Sequence, residues 1–369
     1  MIVTLAVPFG AQASESADST KAINPKEIIF EHLGDAYGWE VPFSHSHRIP
    51  LPCIVFAKDG SLHAFSSARV QHGETYTAAD GTQFTIAGYK MPHEGKIVQI
   101  LPDGEYYRPW DFSITKNVAA LIISVLLVAG LMLWLARVLS RKGYKAPRKG
   151  AGALEVVVAF VYDGVIKATL GENAKRFAPY LLTVFFFILG MNLLGLVVIF
   201  PGGANLTGNI AITLVLAVLT FLVTNIYGTK HYWKEIFWPD VPLWLKFPLP
   251  IMPMIEIFGM FTKPAALTVR LFANMMGGHI IVIVLTLLIF ILGALGAAAA
   301  GGTLIVSLIF SVFMLLIDVL VSFIQAYVFT MLSTVFIGLA QEEGHHSKDD
   351  AAGHNHPAEV AAKAQPAAK

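Results

Sequence analysis

Residues 264–280 read PAALTVRLFANMMGGHI. Arg270 stands at the middle of this run, and the run lies inside a longer apolar stretch from about Pro253 to Leu292. If that stretch sits in a bilayer, a guanidinium near its centre costs roughly 2.5–3.5 kcal/mol on insertion scales. A charge kept at such cost marks a functional site, so Arg270 is the first candidate. Asn274 follows one turn later on nearly the same helical face, and His279 comes further on, on the opposite face.

The composition agrees with a membrane setting. The 369 residues are 55% hydrophobic and only 14% charged, against about 25% charged in soluble proteins. Mean hydropathy is +0.63. The net charge of +1 says little about partners, and the single cysteine, Cys53, excludes an internal disulfide. No phosphate-binding glycine loop, nucleophile–base set or metal-ligand spacing occurs, so an enzyme acting alone is not expected, and neither is a cofactor or a nucleic-acid partner.

Working outward, the distribution of charge defines a topology. Val118–Ala136 is a span of about the ~20 residues a bilayer needs, followed by Arg137, Arg141, Lys142, Lys145, Arg148 and Lys149. Phe177–Phe200 and Asn209–Tyr227 form a helical hairpin around PGGANLTG and return to Lys230, His231, Lys234 and Lys246. The loops on the other side, including Gly293–Gly302, carry no Lys or Arg. The positive-inside rule then puts the basic segments and the C-terminus in the cytoplasm and the N-terminal region in the periplasm of a bacterial inner membrane. Leu154–Leu170, interrupted by Glu155, Asp163 and Lys167, is expected as an amphipathic helix on the cytoplasmic surface.

The ends of the chain differ in kind. Residues 1–13 are apolar and close on Ala11-Gln12-Ala13, as a secretory signal does, although the usual positive start is missing. Residues 14–111 are polar, with short β-prone segments at Leu62–Val70, Gln83–Tyr89 and Lys96–Leu101, separated by Asp59-Gly60, Asp80-Gly81 and Asp103-Gly104. A small β-rich extramembrane domain is expected there, ahead of a membrane domain over 112–340. His45-Ser-His47 invites a metal reading, but no carboxylate or thiol at ligand spacing supports it. Residues 341–369, Ala-rich and polar, are expected to form a disordered tail.

Two apolar stretches, about Pro253–Leu292 and Thr303–Ala340, exceed what a bilayer accommodates upright. The second, as one helix, is roughly 57 Å long against a hydrocarbon core of ~30 Å. Full immersion demands a tilt near ~60°, beyond the usual range. A strongly tilted antiparallel pair, joined by GALGAAAAGGT, would suit the flank of a cylindrical partner.

Charge and depth together order the polar residues. Asp318 and His279 fall in the outer half, Arg270, Asn274 and Gln325 in the middle, and Glu256 with Lys263 in the inner half. An imidazole beside a carboxylate can relay protons, or the two can form a buried structural pair. Arg is never deprotonated in proteins, so Arg270 acts as a fixed barrier and partner rather than a carrier. Glu256 and Lys263, seven apart on one face, also fit an interfacial ion pair. Asn192 in GMNLLGL serves either as lining of a polar path or as an interhelical hydrogen bond. Two half-paths that do not join are the outcome.

GMNLLGL, NLTGNIAITLVLA, KPAALTVRLFAN and FIQAYVF, spread over roughly Val118–Gln341, resemble their counterparts in subunit a of F-type ATP synthases. RLFAN followed by IQAYVF at this separation is specific, where either alone is weak. The resemblance implies that Arg270 faces an essential carboxylate on a rotating ring of c proteolipid subunits, supported by Asn274 and Gln325. It places His279 and Asp318 in the outer half-channel, with acid and imidazole exchanged relative to many bacterial members. Peripheral-stalk b subunits and the other synthase subunits are implied partners, and a proton, or sodium, is the translocated ion. The resemblance does not account for residues 14–111.

The expected fold is thus an all-α polytopic membrane protein. It has one N-terminal span, an amphipathic surface helix, a helical hairpin and two long tilted antiparallel helices, behind a small β-rich domain. A stand-alone secondary transporter or ion channel with an intramembrane Arg is the alternative, but it predicts an internal repeat of spans that the sequence lacks.

Overall fold

Three Asp-Gly pairs organise the N-terminal region. In each, glycine adopts the left-handed backbone: φ is +83° at Gly60, +82° at Gly81 and +77° at Gly104. The Gly60 amide donates to the Ala57 carbonyl (3.0 Å), and the Ala57 amide to Ser61 (2.9 Å). Ala78, Gly81 and Thr82 repeat the pattern, as do Leu101, Gly104 and Glu105. These are turns closed by a glycine that alone takes positive φ without strain. They join β3 (Pro52–Phe56) to β4 (Leu62–Ser66), β5 (Tyr76–Thr77) to β6 (Gln83–Ile86), and β7 (Ile97–Ile100) to β8 (Tyr106–Tyr107). β9 (Trp110–Asp111) returns against β3, giving antiparallel sheets β4-β3-β9 and β5-β6-β7-β8 around Cys53, Val55, Phe65, Phe84 and Ile97.

The computed structural model describes residues 34–41, 44–71, 74–88, 91–142, 150–197, 203–237, 251–293 and 297–341. The signal-like residues 1–13 lie outside them, as does the expected tail apart from Gln341. A further hairpin, β1 (Gly38–Val41) with β2 (Ser44–Pro50), was not expected from a stretch so rich in His and Pro. Its prolines are tolerated because Pro50 ends β2 and Pro52 opens β3, where a missing donor costs least.

The helical part opens with α1 (Lys116–Lys142), whose 27 residues contain the expected first span. Its first turn is capped by the N-terminal region: the Lys116 amide donates to the Ala36 carbonyl (2.8 Å) and the Asn117 amide to Asp35 Oδ1 (3.2 Å). These satisfy two of the four amides a helix leaves open.

The expected surface helix over Leu154–Leu170 is helical but not a separate element. α2 (Gly150–Val161) passes through a wide π turn (Tyr162–Lys167), a single α turn (Ala168–Leu170) and a tight turn (Gly171–Asn173) into α3 (Ala174–Leu196). Val161, Val165, Ile166 and Leu170 are buried against the bundle, while Asp163 and Lys167 stay exposed, 4.0 Å apart. An apolar stripe therefore holds the segment to the bundle. On α3, a methyl at Gly190 would meet Val128 Cγ2 at 2.8 Å, so glycine lets α1 pack closely there.

The hairpin partner α4 (Ile210–Ile226) starts at Asn209, whose side chain accepts from the Ala211 amide (3.0 Å). α5 (Lys230–Phe237), read in the sequence only as a basic side, turns 104° from α4. The two long helices are longer than expected: α6 (Ile251–Gly293) has 43 residues and α7 (Ala297–Gln341) has 45, or roughly 65–68 Å. Ala297–Thr303, expected as loop, is helical, in keeping with its run of alanines. The end of α7 is tied to the α4–α5 turn, since the Thr229 amide donates to the Ala340 carbonyl (2.9 Å) and Gln341 Nε2 to the Tyr227 carbonyl. Four helical runs are long and apolar enough to cross a membrane, and α4 with α5 makes a fifth if the bent pair counts as one. The chain is a polytopic helical membrane protein with a small strand-containing N-terminal region.

Candidate functional site

α6 and α7 carry most of the polar residues singled out from the sequence. α6 buries Leu267, Thr268, Leu271 and Met275 and leaves Ala266, Val269, Arg270, Ala273 and Asn274 exposed. Pro264 sits inside this helix, and Thr268 Oγ1 returns to its carbonyl at 2.9 Å. Arg270 thus lies on an open face of a long apolar helix, and it makes no hydrogen bond or ion pair among the described residues.

One turn beyond Arg270, Asn274 Nδ2 donates to Gln325 Oε1 of α7 (2.7 Å). Gln325 is buried, and its Nε2 finds no partner. Behind this bond lies a small, partly open cavity lined by the polar side chains of Asn192, Asn274, His279, Asp318, Ser322 and Gln325. Six polar groups from α3, α6 and α7 therefore converge where apolar packing surrounds them.

Within the cavity, His279 and Asp318 share a wall but form no ion pair within 4 Å. His279 Nε2 is buried and unpartnered. The Asp318 carboxylate leans on the backbone at Gly278, where a methyl would stand 2.8 Å from Oδ1. Ser322 Oγ donates to the Asp318 carbonyl (2.7 Å), one turn back on α7. Asn192 lines the cavity, and its Oδ1 accepts from Thr207 Oγ1 (2.7 Å), so the bond expected between helices is instead made to a turn. The donor belongs to the turn before α4 rather than to a helix. Ala204, Asn205, Leu206 and Thr207 are all buried, so this turn folds inward.

The inner-half residues are arranged differently. A second small, partly open cavity lies between α4, α5, α6 and α7 and is lined by Thr220, Thr224, Asn225, Tyr232, Lys263 and Phe336 among others. Lys263 Nζ lies 5.4 Å from the centre of the Phe336 ring rather than within 4 Å of Glu256. Glu256 is half-buried near the start of α6 and lines neither cavity. The sequence leaves Ser322 without an assigned role and does not single out Thr207 or Gly278, because small or hydroxylated residues give no signal until a neighbour is known.

The family model for the ATP synthase A chain matches residues 118–338, which contain every residue of this site. The chain belongs to the ATP synthase A chain family. Among its relatives, ATP synthase subunit a of Myxococcus xanthus (strain DK1622) is 42% identical over 278 residues, covering 73% of this chain and 84% of the relative. ATP synthase subunit a 2 of Prosthecochloris aestuarii is 38% identical over 327 residues, covering 83% and 96%. ATP synthase subunit a of Chlorobium phaeobacteroides (strain DSM 266) is 39% identical over 301 residues, covering 77% and 83%. A second family model, for a domain of unknown function, matches residues 28–112 and so takes in the strand-containing region. The Prosthecochloris alignment is long enough to reach well upstream of Val118, so that relative shares part of this region.

Proposed function

We propose that this chain is the stationary proton path of a bacterial ATP synthase, with Arg270 set against an acidic residue on a rotating ring of c subunits. As a member of the subunit a family it is a proton-translocating component of the complex, not an enzyme by itself, and it works beside the other synthase subunits in a membrane it crosses several times. The observation that carries the finer reading is the exposure of Arg270 on an apolar helix, without a partner among the described residues. A guanidinium facing lipid at mid-depth is too costly to keep. The face around it, with Ala266, Ala273 and Asn274, is therefore a contact surface for something that brings negative charge.

In this reading the N-terminal region lies in the periplasm, the C-terminus in the cytoplasm, and a peripheral stalk of b subunits holds the chain against rotation. A proton enters past Asp318 and His279 through the cavity they line and neutralises a ring carboxylate, which then faces lipid at tolerable cost. After rotation it leaves toward the cytoplasm through the second cavity, near Lys263 and Tyr232, with Glu256 at the exit. Arg270 favours the ionised carboxylate between these events and, being permanently charged, closes the direct route. A stand-alone channel or transporter is not favoured, because the family match spans the whole set of membrane helices.

Replacing Arg270 by Ala in the assembled synthase tests this. The expected result is loss of proton-driven ATP synthesis and of ATP-driven pumping, with the complex still assembled. Normal ATP-driven pumping by that variant would refute the assignment.

A further inference from the structure

One face of the sheet β4-β3-β9 is apolar and, among the described residues, uncovered. In the observed register Phe56 stands opposite both Leu62 and Trp110, and Ile54 stands opposite Ala64. The Phe112 amide donates to the Ile54 carbonyl, which extends the ladder and aligns Phe112 with Ile54. Alternation then puts Ile54, Phe56, Leu62, Ala64, Trp110 and Phe112 on one side, away from the buried Cys53, Val55 and Phe65. Trp110 is 71% exposed, Phe112 61% and Leu62 58%, and the Phe56 and Phe112 rings meet edge to face at 5.7 Å. Contiguous aromatic surface of this kind calls for an occupant.

We propose that this face rests on the lipid interface at the bilayer surface from which α1 emerges. The placement follows from continuity. Phe112 lies only four residues before α1, whose own Val118, Ile122 and Val125 are exposed and apolar. The sheet is held to that helix: the Ile114 amide donates to the Pro52 carbonyl (3.1 Å), the Lys116 amide to Ala36, and Trp39 joins the same core as Ala120. α1, at about 40 Å, outruns a ~30 Å hydrocarbon core, so its capped first turn falls at headgroup level. Trp and other aromatics favour that level, where an apolar ring can enter while the backbone stays wet. Docking there would steady the N-terminal region against the bilayer.

The test uses the full chain in its synthase, reconstituted in phosphatidylcholine–phosphatidylglycerol vesicles. A cysteine introduced by Trp110→Cys or by the conservative Ala64→Cys, with the native Cys53 kept, carries an environment-sensitive fluorophore. Cys53 is buried, and the unaltered chain serves as the labelling blank. Leu126→Cys on the lipid-exposed side of α1 reports the span, and Gln83→Cys on the other sheet reports water. Blue-shifted emission at both face positions, quenched severalfold by shallow doxyl-labelled lipid as at Leu126, is expected. Iodide quenching at Trp110 and Ala64 equal to that at Gln83, with Leu126 still quenched by lipid, overturns the docking alone. Shielding from both quenchers means a protein cover and equally overturns a lipid occupant.

Discussion

Asn274 Nδ2 and Gln325 Oε1 meet at 2.7 Å, and this bond joins the two longest helices one turn from Arg270. It leaves Gln325 Nε2 buried and without a partner among the described residues. A buried donor held open in this way costs about 1–3 kcal/mol unless something accepts from it. The pair thus links α6 and α7 beside the guanidinium.

Gln325→Leu removes the acceptor and strands Asn274 Nδ2. The expected loss is about tenfold in ATP-driven proton pumping by inverted membrane vesicles, corresponding to roughly 1–2 kcal/mol. Gln325→Glu keeps an acceptor at the same reach and should retain more activity than Gln325→Leu. Equal activities for the two variants would mean that the bond does not matter.

The acid and the imidazole of the cavity are assigned as a couple, although no direct bond joins them. Either partner replaced alone, as in His279→Asp or Asp318→His, leaves two acids or two imidazoles on one wall. Exchanging both restores one of each. The double variant is expected to pump protons faster than either single variant, measured with a pH-sensitive dye in the same vesicles. A double variant no better than the worse single one would break the assignment.

Adjacent glycines on α6 separate geometry from helix propensity. Gly278→Ala puts a methyl 2.8 Å from Asp318 Oδ1, closer than side chains tolerate, so the carboxylate must swing away. Gly277→Ala meets nothing within 4 Å. Both changes favour the helix by about 0.5–1 kcal/mol. Proton pumping should therefore fall several-fold in Gly278→Ala and stay near wild type in Gly277→Ala, and equal effects would mean that the Asp318 position is not critical.

What could be seen in the sequence divides along physical lines. Arg270, Asn274 and Gln325 stand out in the sequence because polar groups are rare in an apolar run, and the Asn274–Gln325 bond shows that two of them also link the long helices. The length of α6 and α7 was legible because Pro264 did not end the first stretch and no turn chemistry broke the second, and both helices prove longer still. The Asp-Gly turns were legible because only glycine takes their positive φ readily. The merging of α2 into α3 was not, since Gly171 and Asn173 look like a stop, while the buried Leu170 and Ala174 on either side hold the chain in the bundle. Glu256 and Lys263 shared a helical face as spacing required, but the Phe336 ring on α7 gave the ammonium another neighbour. Helix spacing carries no information about such cross-helix competition.

The only cysteine reports on the strand-containing region. Burial pushes the Cys53 thiol up to about 11 from an ordinary value of 9.0, a hydrogen bond with Ser113 opposes the shift, and the charge of Asp111 adds to it. Burial, with the hydrogen bond to Asp111, moves Tyr37 upward as well. Both groups bind their protons more tightly folded than unfolded. The stability they contribute is therefore complete below about pH 9 and is lost as pH rises through the folded values. Cys53 in the folded chain should accordingly resist maleimide at pH 7–8, where a free thiol reacts readily, with reactivity climbing steeply only above about pH 10 as the strands loosen. Rapid labelling of Cys53 at neutral pH would show that its side chain is not enclosed by the two sheets.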